Sequence, residues 1–251
     1  MTKISAVIIT LNEEKNIERC INSAFKVCDE VVVIDSYSTD KTVEISEKCG
    51  AKVVQQVWNG FAKTKNAGHQ IAKHGFILSL DADEELSPLL IKSILKEKEN
   101  LKAAYSFNRL NFYRNIPVRR CGWYPDKKIR LFPKELCSWQ GDFVHETLNV
   151  DPSLRITHLK GDLYHYTIEN VQQHRSTIEK YATLSANELV SKKKSISILK
   201  PYVSYLSMFV KKYFFQLGIV EGANGLYISH YSALSRFLRY KKAWTLQKDT
   251  P

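Results

Sequence analysis

Two carboxylates one residue apart, Asp81 and Asp83, stand directly behind an apolar run, Phe76, Ile77, Leu78 and Leu80. A run of that length and composition reads as a buried strand of a parallel sheet, which puts both acids at its carboxyl end. Like charges that close are costly to hold unless something positive lies between them. Hard oxygen donors of this kind suit Mg2+ or Mn2+, which also takes oxygens from a substrate diphosphate. The same residues also read as an acidic loop tip ahead of a helix, with Ser87 as N-cap and Pro88 in its first turn.

The elements before this strand say which reading has company. Residues 4–10 are a short β-branched run, and Ile17, Cys20, Ile21, Ala24 and Phe25 then recur at helical spacing. Residues 30–35 form a second buried run ending in Asp35, and Ser36 to Asp40 make a turn. Asp40 can cap a helix running through Cys49, with Gly50 after it. A third strand over 51–57 and a helix over 61–73, with Gly68 as its weak point, complete the series. Strand and helix alternating in this way imply an α/β protein with an open parallel sheet covered on both faces. Ligands of such sheets bind outside the carboxyl ends of the strands, where Thr10, Asp35, Asp81 and Asp83 all fall.

Length and composition set the frame. A chain of 251 residues with 44% hydrophobic and 25% charged residues has the balance of a soluble globular protein, one large domain and an appendage. Its five cysteines are odd in number and form no C-x-x-C pair, which argues against a disulfide framework or zinc site and for a reducing compartment. Met1 runs within a few residues into the first strand, leaving no room for a signal peptide, and no window has the length of a membrane span. The expected location is cytoplasmic. The net charge of +11 is uneven: residues 188–251 hold eleven Lys and Arg against three Asp and Glu. A basic end of this kind suits nucleic acid, an anionic membrane surface or an acidic substrate, or is simply a solvated face.

Beyond the Ser87 helix the pattern changes. Residues 103–112 and 128–132 read as strands, and the basic, aromatic link between them carries Arg119, Arg120, Trp123, Tyr124 and Asp126. Residues 140–148 and 161–167 read as two more strands, 169–190 as a helix, and Lys192 to Lys194 as a break. A helix is expected over 201–217, with Ser204, Ser207 and Lys211 as a narrow polar stripe amid large apolar and aromatic residues. That surface suits a membrane interface, docking on the main domain or a dimer contact.

Taken together, these residues resemble the family-2 glycosyltransferases, inverting enzymes of GT-A fold. The resemblance rests on Ala6 to Glu13, Val31 to Ser36 with Ser38-Thr39-Asp40, Lys65-Asn66, and Leu80-Asp81-Ala82-Asp83-Glu84. Gly122 to Asp126, Ile129 to Phe132, Val144-His145-Glu146, Leu163 to Tyr166, Leu217-Gly218, Glu221-Gly222 and Gly225 are similar to the branch that adds glucose to the inner core of bacterial lipopolysaccharide. The resemblance implies a Rossmann-like nucleotide-binding half with a mixed central sheet, plus a C-terminal helical appendage. Residues 1–168 would form the catalytic domain, with 1–90 taking the nucleotide sugar and 91–168 the acceptor, and 169–251 the helical region.

The roles it implies are specific. Thr10, Asn12, Glu13, Asp35, Lys65, Asp81, Ala82 and Asp83 would bind the UDP-sugar, with Asp81, Asp83 and His165 as ligands of Mn2+ or Mg2+. Asp35 also reads as a turn cap, and Lys65 as a solvated helix lysine. Glu146 would be the base, with Asp142 and Asp126 in reserve, and either His145 or His165 the late histidine ligand. Arg119, Arg120, Trp123, Tyr124 and Asp126 would face a saccharide acceptor, lipid-linked and reached by peripheral membrane contact; Arg forks suit its phosphates. Two other readings stand beside this one. A sugar nucleotidyltransferase would need a Gly-rich basic loop after the first strand, where Leu11-Asn12-Glu13-Glu14 is found instead. A non-catalytic basic protein binding membrane or nucleic acid would need no acids at three strand ends, and nucleic acid is not expected as a partner.

Overall fold

Alternation along the first strand, β1 (Ile4–Thr10), sends Ala6 and Ile8 to one side and Val7 to the other, and both sides are buried. A strand buried on both faces is what a helix-covered sheet requires. The computed structural model describes residues 1–141, 146–191 and 196–248. In chain order β1 is followed by α1 (Ile17–Phe25), β2 (Glu30–Asp35), α2 (Thr42–Lys48), β3 (Lys52–Gln55), α3 (Phe61–Ile71) and β4 (Phe76–Asp81). Then come β5 (Glu84–Leu86), α4 (Pro88–Glu97), β6 (Ala104–Tyr113), β7 (Ile116–Pro117), β8 (Asp126–Pro133), β9 (Cys137–Gln140), β10 (Thr147–Val150) and β11 (Ile156–Ile168). Helices α5 (Val171–Ser191), α6 (Lys200–Val210) and α7 (Gly222–Lys248) end the chain.

The chain divides into two units, Met1–Leu110 with Asp126–Tyr166, and Asn111–Pro125 with Thr167–Pro251. In the first, the strand order is β3-β2-β1-β4-β8-β6-β11-β5. The first four strands are parallel, and β8 reverses against β4 with Leu78 opposite Leu131. The result is the mixed α/β, GT-A-like fold, with a mixed central sheet and C-terminal helices. Register sets the rim: Thr10 lies opposite Asp35, and Ile9 opposite Asp81. At the far edge β11 runs antiparallel to β5, with His165 opposite Glu84.

One face of this sheet packs Ile8, Leu78 and Leu80 against Ile17, Ile21, Leu90 and Ile94 of α1 and α4. The other packs Val7, Ile34 and Ile77 with Ala62 of α3, Phe132 and Trp139. Gly68 has a reason to be glycine. A Cβ there would meet Val7 Cγ1 at 2.3 Å, so α3 lies flat on β1 because that side chain is missing. Ser87 caps α4 as its sequence predicts, accepting from the Leu90 N–H at 3.3 Å, with Pro88 in the first turn.

Three expectations change. Residues 140–148 are not one strand: β9 ends at Gln140, β10 begins at Thr147, and the two form an antiparallel pair with Thr147 opposite Gln140. Asp142 and His145 lie outside the described residues, as do Lys192 to Lys194. The helix expected from Asp40 through Cys49 is shorter, spanning Thr42–Lys48 with Lys41 at its N-cap, while Asp40, one residue earlier, accepts from the Thr42 N–H at 3.0 Å. The expected 201–217 helix stops at Val210, widens into a π turn over Lys211–Phe215, and ends at Leu217 with φ 55°.

In the second unit α7 packs on both α5 and α6. The link 111–125 is tied down locally. Glu221 Oε1 accepts from the backbone N–H groups of Arg119 and Arg120, both at 2.9 Å, and Lys212 Nζ donates to the Cys121 carbonyl at 2.6 Å. No helix among the described residues is long and apolar enough to cross a membrane.

Candidate active site

The loops after β1 and β2 are bonded into one another. Asn12, at φ 55°, donates its N–H to Ser38 Oγ at 2.8 Å and accepts from the Thr39 N–H at 2.8 Å. The Glu13 N–H donates to Thr42 Oγ1 at 2.8 Å, and Glu13 Oε2 accepts from Asn16 Nδ2 at 2.6 Å. Asp35 is fully buried and accepts from the Ser38 N–H and hydroxyl and from Gln55 Nε2 at 3.0 Å. Thr10 is buried beside it, in register. Asn12, Glu13 and Asp35 thus build the rim here by holding the two loops together, the turn-cap behaviour open to an Asp at that position.

The acids after β4 have unequal surroundings. Asp81 Oδ1 pairs with Lys65 Nζ at 3.0 Å, and its Oδ2 with Arg130 Nη2 at 2.6 Å. Burial alone would raise its pKa, but the charges of Arg130 and Lys65 outweigh that and hold it well below the usual carboxylate range. Lys65, 1% exposed, also reaches Glu146 Oε1 at 3.2 Å and sits 4.4 Å over the Trp139 ring. Arg130 continues to Glu84, 0% exposed, at 2.6 Å, and Glu84 also accepts the Asp81 N–H at 3.0 Å. Arg109 stands 3.5 Å from Glu84 and 2.8 Å from Asp126, which Lys128 meets at 3.1 Å. The row Glu146, Lys65, Asp81, Arg130, Glu84, Arg109, Asp126, Lys128 alternates in sign from end to end. Every buried charge in it has an opposite neighbour, the condition for keeping charges inside at all.

Asp83 is outside that row. Its Oδ2 lies 3.1 Å from His165 Nε2, and its carbonyl accepts the Tyr166 N–H at 3.0 Å. The pairing of β11 with β5 brings them together across about eighty residues of sequence, an extent set by strand register. Burial works against protonation of His165, but the charge of Asp83 and its hydrogen bond overcome this, so the pKa lies above the usual histidine value. Next along, Tyr166 donates its hydroxyl to Glu85 Oε2 at 2.8 Å, and the Arg19 guanidinium stacks 3.4 Å over the Tyr166 ring.

A cavity of about 440 Å3 opens on this row, lined by Asp81, Arg109, Arg130, Trp139, Glu146 and the 127–129 stretch. It brings together Asp81, Glu146 and, behind them, Lys65. Ala82 is buried between the two acids in sequence. Asp126 is in the first unit with its oxygens engaged by Arg109 and Lys128, while Arg119, Arg120, Trp123 and Tyr124 belong to the second. There the Arg119 guanidinium lies 5.0 Å over the Tyr124 ring, and Trp123 is half-buried against Tyr113.

Sequence reasoning assigned no role to Glu84, Arg109, Arg130 or Trp139. Arg130 had a visible signal, a lone cation inside the apolar strand Ile129-Arg130-Leu131-Phe132. A charge in such a place is kept only where it is paired.

A carboxylate-rich strand end on a Rossmann-like half-sheet, extended by antiparallel strands and facing a charged cavity, defines a mixed α/β protein whose candidate ligand site lies outside the carboxyl ends of its parallel strands. The glycosyl transferase family 2 profile matches residues 5–140, and the chain belongs to that family. It is 36% identical over 251 residues to an uncharacterized glycosyltransferase of Rickettsia bellii, covering 96% of this chain and 85% of that one. An uncharacterized glycosyltransferase of Rickettsia conorii is 34% identical, covering 96% of this chain and 89% of that protein. Among solved structures, glucosyl-3-phosphoglycerate synthase of Mycobacterium tuberculosis, in complex with Mn2+ and UDP-glucose, matches at 25% identity and a TM-score of 0.37. That match covers 45% of this chain and 44% of the synthase, too partial to bear on the chemistry here.

Proposed function

We propose that this protein is an inverting glycosyltransferase that moves a sugar, glucose being the first candidate, from a UDP-sugar to a hydroxyl of a lipid-linked saccharide of the lipopolysaccharide-core class. One observation carries the reading. The alternating row satisfies Asp81 internally and brings Glu146 to the same cavity, whereas Asp83 has His165 as its ionic partner among the described residues.

Family-2 enzymes of this type imply a divalent cation, and the donors fit one. Asp83 and His165 offer a carboxylate oxygen and an imidazole nitrogen 3.1 Å apart. No group of three or more His, Cys, Asp or Glu is gathered for a metal among the described residues, so substrate oxygens would complete the shell. Asp81, held by Lys65 and Arg130, would exchange one of those partners to join it. When bound, Mn2+ or Mg2+ neutralises charge developing on the departing diphosphate.

The chain's own groups do the rest. Thr10, Asn12, Glu13, Asp35 and the Asp81-Ala82-Asp83 turn form the nucleotide rim. Glu146 takes the proton from the acceptor hydroxyl as that oxygen bonds to the anomeric carbon and the bond to UDP breaks on the opposite face. Lys65, locked between Asp81 and Glu146, fixes the spacing of donor side and base side rather than meeting the diphosphate itself. Arg119, Arg120, Trp123, Tyr124 and Asp126 recognise the acceptor, phosphate by guanidinium and sugar ring by aromatic face. The catalytic domain is taken as residues 1–168, its halves 1–90 and 91–168, with 169–251 as the helical appendage through which a cytoplasmic enzyme touches the membrane.

The test is UDP binding read by thermal shift with and without Mn2+. Metal-dependent stabilisation by UDP, lost in Asp83→Ala, supports the donor site. No response to any UDP ligand in the presence of metal rejects it.

A further inference from the structure

The helical segment 198–229 of the second unit is built inside out. Apart from Pro201 and Ile228, its buried residues are small or polar: Ser204, Asn224 and Ser229, the last at 0% exposure, with Gly218 and Gly225. Most of its large apolar residues face water instead. Leu206 is 64% exposed, Val220 69% and Phe215 81%, and Leu199, Tyr202, Val203, Phe214, Leu217 and Ile219 join them. A helix pair held by apolar burial alone shows the opposite pattern.

The packing explains how this is possible. A Cβ on Gly225 would fall 1.8 Å from the Gly218 carbonyl oxygen, and one on Gly218 3.0 Å from Ser229 Oγ. Close approach of backbones through small residues is the way helices associate when water does not drive them together. Leu199, Tyr202, Val203 and Leu206 fall at i, i+3, i+4 and i+7, so they share one face of α6. Tyr205, Phe209 and Tyr213 stack in series, with centroids 6.4 and 5.4 Å apart, and Phe214 meets Tyr213 edge-on at 5.2 Å. Beside Tyr202 a recess of about 240 Å3 is lined by Tyr202, Tyr205, Leu234 and Phe237.

Charge identifies the occupant. Residues 196–248 hold eight Lys and Arg against a single acid, Glu221. Glu221 is engaged by the Arg119 and Arg120 amides. Lys241 stands 5.7 Å from the Phe237 ring at the recess, and Lys200 5.7 Å from that of Tyr240. Exposed aromatic and aliphatic side chains interleaved with cations match a bilayer surface carrying anionic headgroups. A second copy of this chain would bring the same positive charge to the contact.

We infer that the outward face of α6 and the 214–220 turn is a binding surface for anionic lipid: Phe214, Phe215, Leu217, Ile219 and Val220 enter the headgroup layer while the lysines and arginines meet lipid phosphate. This gives the peripheral-membrane reading above its surface and rests on that reading. It is tested without any sugar nucleotide, so it can fail while donor binding stands.

The experiment is co-sedimentation of the full chain with vesicles of phosphatidylcholine alone or with added phosphatidylglycerol. Binding should be strong only with phosphatidylglycerol and should weaken with salt. Phe215→Ser with Val220→Ser should lower the partition coefficient about tenfold or more, since each removes a large apolar contact. Both side chains are exposed, so the far-UV melt should be unchanged. No binding to phosphatidylglycerol vesicles overturns the assignment. So does a concentration-dependent dimer in sedimentation velocity that the same substitutions dissociate, because the face would then join two copies.

Discussion

Replacing Arg130 by methionine tests whether the alternating ion row holds the site together. Methionine keeps much of the side-chain volume and removes the charge. In the native protein Nη2 of Arg130 touches Asp81 and Glu84, both at 2.6 Å, and Glu84 is wholly buried. After the change Asp81 keeps Lys65 at 3.0 Å, but Glu84 retains only Arg109, at 3.5 Å, as an ionic partner within the row. Breaking a buried pair from one side costs about 3–5 kcal/mol, because a charge is left behind without its partner. For a chain of this size each kcal/mol moves the melting temperature by roughly 2–4 °C, so the variant should melt about 6–20 °C lower. Urea unfolding followed by far-UV circular dichroism gives the same quantity from the midpoint, provided the slope is unchanged. Adding Glu84→Gln, which keeps an acceptor for the Asp81 N–H, should restore part of the loss. If Arg130→Met costs less than about 1 kcal/mol, in the range of exposed pairs, the row is a surface feature and the reasoning fails.

Other outcomes follow from the same structure. Asp83→Ala should end transfer while leaving the melt close to wild type, because the partner that Asp83 holds is His165; retained turnover would remove its role at the metal. Glu146→Gln should lower kcat by about 10²- to 10⁴-fold, the range of a general base, with UDP affinity kept; an unchanged kcat would move the base elsewhere. His69 and His174 are held down to about 4, both chiefly by burial, with Lys65 and Lys134 adding to the effect on His69. The unfolded chain therefore binds more protons below the ordinary histidine value, so stability is full above about 6.5 and is lost as pH falls toward 4. Each histidine contributes on the order of 3 kcal/mol to that loss, and His69→Asn should flatten the profile measured by urea unfolding at stepped pH. Gly68→Ala should cost roughly 1–3 kcal/mol as overpacking against Val7; a neutral result would mean α3 lifts freely off the sheet.

The parallel half of the fold was legible because its signals are local. Runs such as Val31 to Asp35 switch from β-branched to acidic at the rim, and Ser87-Pro88 marks the start of α4 as clearly as a sequence can. The pairing of distant strands was not legible. Arg130 meets Asp81 only because β8 turns back along β4, and His165 meets Asp83 only through the register of β11 on β5. Neither partner is near in sequence. Strand β5 was missed because it is three residues long and two of them are acids. The C-terminal segment showed its apolar content plainly, yet which side would be wet depends on glycine and serine contacts between α6, the 218–221 turn and α7. The acids were found by type and position, and their different environments came in large part from neighbours about fifty to eighty residues away, Arg130 for Asp81 and His165 for Asp83.

The most direct measurement is turnover of UDP-sugars with Mn2+ and water standing in for the acceptor, following UDP release and the anomeric form of the freed sugar by NMR. From an α-linked donor such as UDP-glucose, slow UDP release is expected with the β anomer appearing first. Release should be absent in Asp83→Ala and sharply reduced in Glu146→Gln. Release of the α anomer, undiminished release by both variants, or no turnover of any UDP-sugar would contradict the proposed mechanism.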